Sequence, residues 1–174
     1  MKRLAVTLFL LTTGPIFGAS PAGVRPRPDR TEYAVTMFNN VLAVAAELVP
    51  AEKVRQQFGP EVDSHYLVVE VGVYPRAKNP IEVRPSDFAV RVNRTRDTLS
   101  PLVPKAIIEV TQSLRSVALR LLSKCLPETA TYKPVAGYLY FPLPDKKDDD
   151  HAYELEYNTR GARMILPLHL GLPR

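Results

Sequence analysis

Three short stretches hold residue types that can do chemistry. Asp63-Ser64-His65 supplies the acid, nucleophile and base of a hydrolase triad. Adjacent positions on a chain entering a strand cannot converge on one substrate atom, however, and no Gly-x-Ser-x-Gly elbow occurs in the sequence. Asp148-Asp149-Asp150-His151 gathers three carboxylates and an imidazole, donors that suit a divalent cation. A calcium loop alternates its oxygen ligands and needs a glycine for the turn, so this run reads as a solvated acidic loop and no metal is expected. Glu154 and Glu156 sit two apart, which on a strand places both on one face at about 7 Å, near the separation of a glycosidase pair. Any alternating strand produces that spacing, so the pair reads as solvent-facing. No catalytic residue and no cofactor is expected.

A binding surface is the better prospect. From Arg76 to Asp97, the cations Arg76, Lys78, Arg84, Arg91, Arg94 and Arg96 outnumber Glu82, Asp87 and Asp97. If the fold brings Arg84, Arg91, Arg94 and Arg96 to one sheet edge, they form a basic patch suited to anionic headgroups or cell-wall polymers; the plainer reading is an ordinary solvated face. Phe88 is the one aromatic residue among these cations, so the patch is a weak signal beside the ordinary solvated face. Asn93-Arg94-Thr95 fits the glycosylation acceptor pattern. Cys125, the single cysteine, lies in the apolar run Leu121 to Leu126 and reads as a small buried hydrophobe, since no intramolecular disulfide can form.

The first twenty residues set the compartment. Met1-Lys2-Arg3 is basic, Leu4 to Leu11 is apolar apart from Thr7, and Gly14-Pro15 breaks the run before the small residues Gly18-Ala19-Ser20. This is the layout of a secretory signal spanning residues 1–19, and it is too short for a bilayer crossing, which takes about 20 apolar residues. The mature chain is expected to be exported, periplasmic or extracellular, with no transmembrane span. Loss of Lys2 and Arg3 from the 23 basic residues leaves 21 against 18 acidic, a net of +3, too mild to imply nucleic acid. About 150 residues remain, one domain's worth of core.

Residues 20–32 (SPAGVRPRPDR and the two that follow) are rich in proline and arginine and read as an extended linker; the domain is expected over 33–174. Between Tyr33 and Val49 two readings stand: an apolar helical stripe, or two strands turned at Asn39-Asn40. Pro50 to Gly59 predicts a short helix near 51–58, opened by proline and closed by glycine in a left-handed conformation. Leu67, Val69, Val71 and Val73 alternate into a central buried strand ended by Pro75, and Phe88, Val90 and Val92 into a strand with a wet face. Apolar residues at three- and four-residue steps from Ile107 to Cys125 predict an inserted helix near 105–126. The β-period returns at Gly137–Phe141, Tyr153–Tyr157 and Met164–Leu168, the last two joined by a four-residue loop at Asn158–Gly161. Seventeen prolines against eight glycines fit strand ends better than long helices.

Four pieces in this order carry a resemblance: the valine-rich strand closing in Tyr-Pro (Tyr66 to Pro75), the Pro-Ser-Asp-Phe entry (Pro85 to Phe88), Gly-x-Leu-x-Phe (Gly137 to Phe141) and the closing Tyr-x-Leu-x-Tyr hairpin (Tyr153 to Leu168). Together they resemble exported bacterial immunoglobulin-like β-sandwich domains of uncharacterised function. The resemblance implies strands before the short helix, hence two strands in 33–49, and a mainly β, antiparallel, immunoglobulin-like sandwich; it carries over no ligand or catalytic residue. The expected function is a non-enzymatic binding or interaction module of the cell envelope, meeting an envelope protein or an anionic surface. A small secreted hydrolase with a scattered site and an accessory subunit of an envelope assembly are the alternatives.

Overall fold

Asn39-Asn40, polar between two apolar runs, turns the chain back on itself, and β1 (Val35–Phe38) pairs antiparallel with β2 (Leu42–Leu48). The Asn39 side-chain oxygen accepts from the backbone N–H groups of Val41 and Leu42 at 2.8 and 2.9 Å, an Asx turn that fixes the hairpin. These features come from a computed structural model that describes residues 22–93, 97–103, 106, 115–143, 152–159 and 162–168.

Helix α1 (Ala51–Phe58) follows Pro50 and stops at Gly59, whose φ of 105° and ψ of 163° place it in an extended positive-φ region, outside the left-handed helical conformation expected there. Pro60 accounts for the difference, because its ring keeps the preceding residue extended. A second helix, α2 (Pro60–His65), starts at once and places Asp63, Ser64 and His65 on a helical turn where the sequence suggested a strand approach. β3 (Tyr66–Pro75) is the long central strand, followed by β4 (Ile81–Val83), a 3-10 turn at Pro85–Asp87, β5 (Phe88–Val92) and β6 (Thr98–Leu99). The predicted inserted helix is present as α3 (Arg115–Lys124); residues 105 and 107–114 of its predicted span lie outside the described residues. β7 (Thr129–Thr131), β8 (Val135–Pro142), β9 (Tyr153–Thr159) and β10 (Ala162–Leu168) complete the chain. Thr159 pairs directly with Ala162, so Asn158 and Thr159 belong to the ladder and the connection is two residues long, shorter than expected.

The fold is an antiparallel β-sandwich. One sheet has the order β1-β2-β3-β8, the other β10-β9-β5-β6, and β4 and β7 pair as a small separate ribbon. Between the sheets lie Leu42, Val44, Ala46 and Leu48 of β2, the four alternating residues of β3 from Leu67 to Val73, and Phe88, Leu155, Tyr157 and Leu166 from the opposing strands. This core follows the period-2 pattern, in which alternate side chains point to one face.

The first sheet is covered on its outer face as well. At one end Val68, Tyr138 and Tyr140 pack under Val54, Phe58, Val62, Val117, Leu121 and Cys125 from the three helices and the residue that follows α3. Phe58 meets both tyrosines edge to face, at 5.5 and 5.7 Å between ring centroids. Leu126 passes so close to β8 that a Cβ on Gly137 would lie 2.3 Å from its backbone, which leaves glycine as the residue for that position. Cys125 is buried in this layer, as expected, and burial pushes its thiol up to about 12.

Candidate functional site

At its loop end the sandwich gathers the features that a contact surface needs. The β1–β2 hairpin tip exposes Met37, Phe38 and Val41, three of the six large apolar side chains exposed among the described residues; Phe38 is 61% exposed. Two guanidinium groups flank the Phe38 ring, Arg30 at 5.3 Å and Arg76 at 5.1 Å from its centroid. Arg76 is tied to the hairpin: its Nη1 donates to the Asn39 carbonyl at 3.1 Å, and its backbone N–H donates to the Val41 carbonyl at 2.8 Å. Lys78 is exposed on the same β3–β4 loop. No charged residue occurs from Tyr33 to Ala46, and from Val71 to Ile81 the only charges are Arg76 and Lys78.

Beside the tip opens a cleft of about 510 Å³ lined by Val41, Pro80, Ile81, Arg84, Asp87 and Thr159. Arg84 pairs there with Glu82 and reaches Glu128 at 3.7 Å. Burial raises the Asp87 carboxyl above its ordinary range; the positive charge of Arg84 opposes the rise, and Glu82 and Glu128 add to it.

Of the four arginines singled out from sequence, Arg84 therefore lies in the cleft with carboxylates on either side. Arg91 lies on the outer face of the second sheet, 2.8 Å from Glu156, which also holds Arg163 at 3.2 Å. The ion pairs of Arg84 and those of Arg91 have no residue in common. Arg94 and Arg96 lie outside the described residues, as does the Asp148–His151 run. Glu154 and Glu156 do share an outward face, and two guanidinium groups hold the Glu156 carboxylate.

The triad types of Asp63-Ser64-His65 do not form a relay. His65 Nδ1 lies 2.8 Å from the Glu61 carbonyl, an acceptor only, so this nitrogen carries the proton and cannot take one from Ser64 Oγ, 2.8 Å away. Asp63 turns instead to Arg55 at 3.1 Å.

One cluster gave no local signal in the sequence. Arg27, from the proline- and arginine-rich stretch, crosses the outer face of the first sheet and binds Glu47 at 2.7 Å and Glu70 at 2.9 Å, with its guanidinium 4.2 Å above the Tyr33 ring. The Tyr74 hydroxyl donates to the Arg27 carbonyl at 2.9 Å, and Val24 bridges to Ala136 of β8. Burial works against the Arg27 cation, but its hydrogen bonds to Glu70 and Glu47, and their charges, outweigh it and hold its pKa above the ordinary guanidinium value. Beneath it the Tyr33 hydroxyl is buried beside Tyr74, whose ring meets the Tyr33 ring edge to face at 6.4 Å between centroids. Residues 20 and 43 positions apart in sequence make this strap, which periodicity does not reveal.

No protein-family model matches the chain, and no curated protein matches it. Two solved structures from Bacillus subtilis bear a likeness to it. One, described as "a putative lipoprotein (ycdA)", is 18% identical with a TM-score of 0.46 over 76% of this chain; the chain spans 37% of that protein's length. The other, the yjhA protein, is 14% identical with a TM-score of 0.49 over 79% of this chain and 98% of its own. Likenesses at this level carry nothing about function. Among the described residues no helix is long and apolar enough to cross a membrane, and no cluster of three metal-ligating side chains occurs.

Proposed function

We propose that this chain is an exported, non-enzymatic binding module of the cell envelope that meets its partner through the loop end of the sandwich: the β1–β2 tip, the β3–β4 loop and the cleft that holds Arg84. The observation that carries this reading is the concentration of Met37, Phe38 and Val41 at one hairpin tip, with Arg30 and Arg76 against Phe38. Exposed apolar side chains cost a protein solubility and persist where something covers them in use. The cleft beside them joins apolar walls at Val41, Pro80 and Ile81 to the opposed charges of Arg84, Glu82 and Asp87, which suits a rim to a contact. The basic leader-like start, taken as residues 1–19, supports export, with the linker at 20–32 and the domain at 33–174. In this reading Arg84 belongs to the contact surface, and Arg91, held by Glu156, contributes less to it than sequence alone suggests.

The test is a pull-down from the envelope fraction of the native host with the wild-type chain and a Phe38→Ser variant. Loss of the recovered material with the variant supports the reading. The same material recovered by both overturns it, as does an intact leader on chain isolated from the cytosol.

A further inference from the structure

We infer that the occupant of the β1–β2 tip is the surface of a bilayer bearing anionic phospholipid; the inference rests on the binding reading above and names its partner. The tip is a two-stranded hairpin turned at Asn39-Asn40. It presents an aromatic ring and two aliphatic side chains, Phe38 with Met37 and Val41, at the end of a hairpin, the depth order that an interfacial layer accepts. The hairpin and the β3–β4 loop carry cations alone, Arg76 and Lys78, with Arg30 beside Phe38 and no acidic residue from Tyr33 to Ala46 or from Val71 to Ile81. Acidic side chains stand around the tip, most of them engaged: Asp29 and Glu32 flank Arg30 in the 3-10 turn, Arg27 holds Glu47 and Glu70, Arg84 engages Glu82, and Asp87 lines the cleft beside Val41. A protein partner of ordinary size has mixed charge, whereas a sheet of phosphodiesters matches loops that carry cations alone. Guanidinium groups stacked on the ring are weakly hydrated and can exchange the aromatic face for a bidentate contact to phosphate without a large loss of hydration. Phe38 then passes into the acyl boundary while Arg30, Arg76 and Lys78 remain at the headgroups.

The chain contains no tryptophan, so Phe38→Trp in the full-length protein gives a single reporter, with Tyr132→Trp on the exposed β7–β8 turn as its counterpart. Phosphatidylcholine vesicles and mixed phosphatidylcholine–phosphatidylglycerol vesicles are the probes. The inference expects a blue shift of the indole emission of the Phe38→Trp variant with the mixed vesicles only, binding about tenfold tighter than to the neutral ones, and loss of binding when Arg30 and Arg76 are both changed to Glu. It expects wild-type chain to co-sediment with the mixed vesicles and Phe38→Ser chain to stay in solution, which needs no tryptophan variant. Equal binding to both vesicle types, equal shifts at positions 38 and 132, or sedimentation unchanged by Phe38→Ser, as a leader-driven association would give, each overturns it. If vesicle binding fails while the envelope pull-down still depends on Phe38, the lipid inference falls and the binding reading stands; if neither depends on Phe38, both fall.

Discussion

The two sheets of the sandwich are alike in strand number and antiparallel pairing, and unlike in what lies outside them. The first sheet is roofed at one end by three helices and crossed at the other by the Arg27 strap; the second turns its outer face to solvent. Their sequences record the difference. β2 is buried at every position except Glu47, and β8 at every position but its two ends, while β5 and β9 alternate buried and half-buried residues. A strand covered on both faces has no wet side to announce, so alternation fades as layers are added.

The sharpest way to break the comparison is at the roof. Gly137→Val forces a side chain into the Leu126 backbone and should cost more than about 4 kcal/mol, seen as loss of a cooperative melting transition and of soluble yield. A well-folded Gly137→Val protein would show that the roof is loosely seated. Phe58→Ala removes the ring that joins helix α1 to Tyr138 and Tyr140 and should cost about 3–5 kcal/mol in urea unfolding.

Two arginine–glutamate clusters, one per sheet, allow a finer test. Arg27→Ala leaves Glu47 and Glu70 without their cation on the crossed face and should cost about 2 kcal/mol, less than a fully buried pair because all three side chains keep some exposure. Alkaline titration separates the layers in another way. Burial lifts the Cys125 thiol from 9.0 to about 12, so between these values the unfolded chain releases a proton that the folded chain keeps. Stability from this group is complete below about pH 9 and falls as pH rises towards 12, by up to about 1.4 kcal/mol per pH unit. Melting curves at about pH 8 to 11 should therefore show a shallower decline for Cys125→Ala than for wild type. The smallest effect belongs to the second sheet: Arg91→Ala, at a partly exposed arginine whose partner Glu156 keeps Arg163, should cost below about 1 kcal/mol.

How much of this was legible in the chain depends on distance along it. Helix α1 between Pro50 and Gly59 and the alternating strands β3, β5, β9 and β10 are local signals, and they read correctly; over 33–49 the local pattern allowed a helix or two strands, and the resemblance decided for the strands that form. Helix α2 has six residues and one buried side chain, Val62, too few to set a period. β4 and β7 are three residues each and exist only because they pair with each other across the chain. At the site, the cations Arg76 and Lys78 stood out by charge, but Met37, Phe38 and Val41 carried no mark of exposure within the apolar run from Tyr33 to Val49. The available signal was their position on either side of an Asn-Asn turn, where polar side chains are the rule. Arg27 had no such marker, because its partners are set by the sheet and not by its neighbours.

That strap also determines how the molecule carries load. Among the described residues the segment before Arg30 meets the body at the Val24 bridge to Ala136, on the sheet edge farthest from β1, and then at Arg27, through its ion pairs and the Tyr74 hydrogen bond. Tension applied from that side meets a few contacts in succession, well before it reaches a strand ladder. The segment can thus peel back and lengthen under pull while the two-layered body and its exposed tip keep their shape.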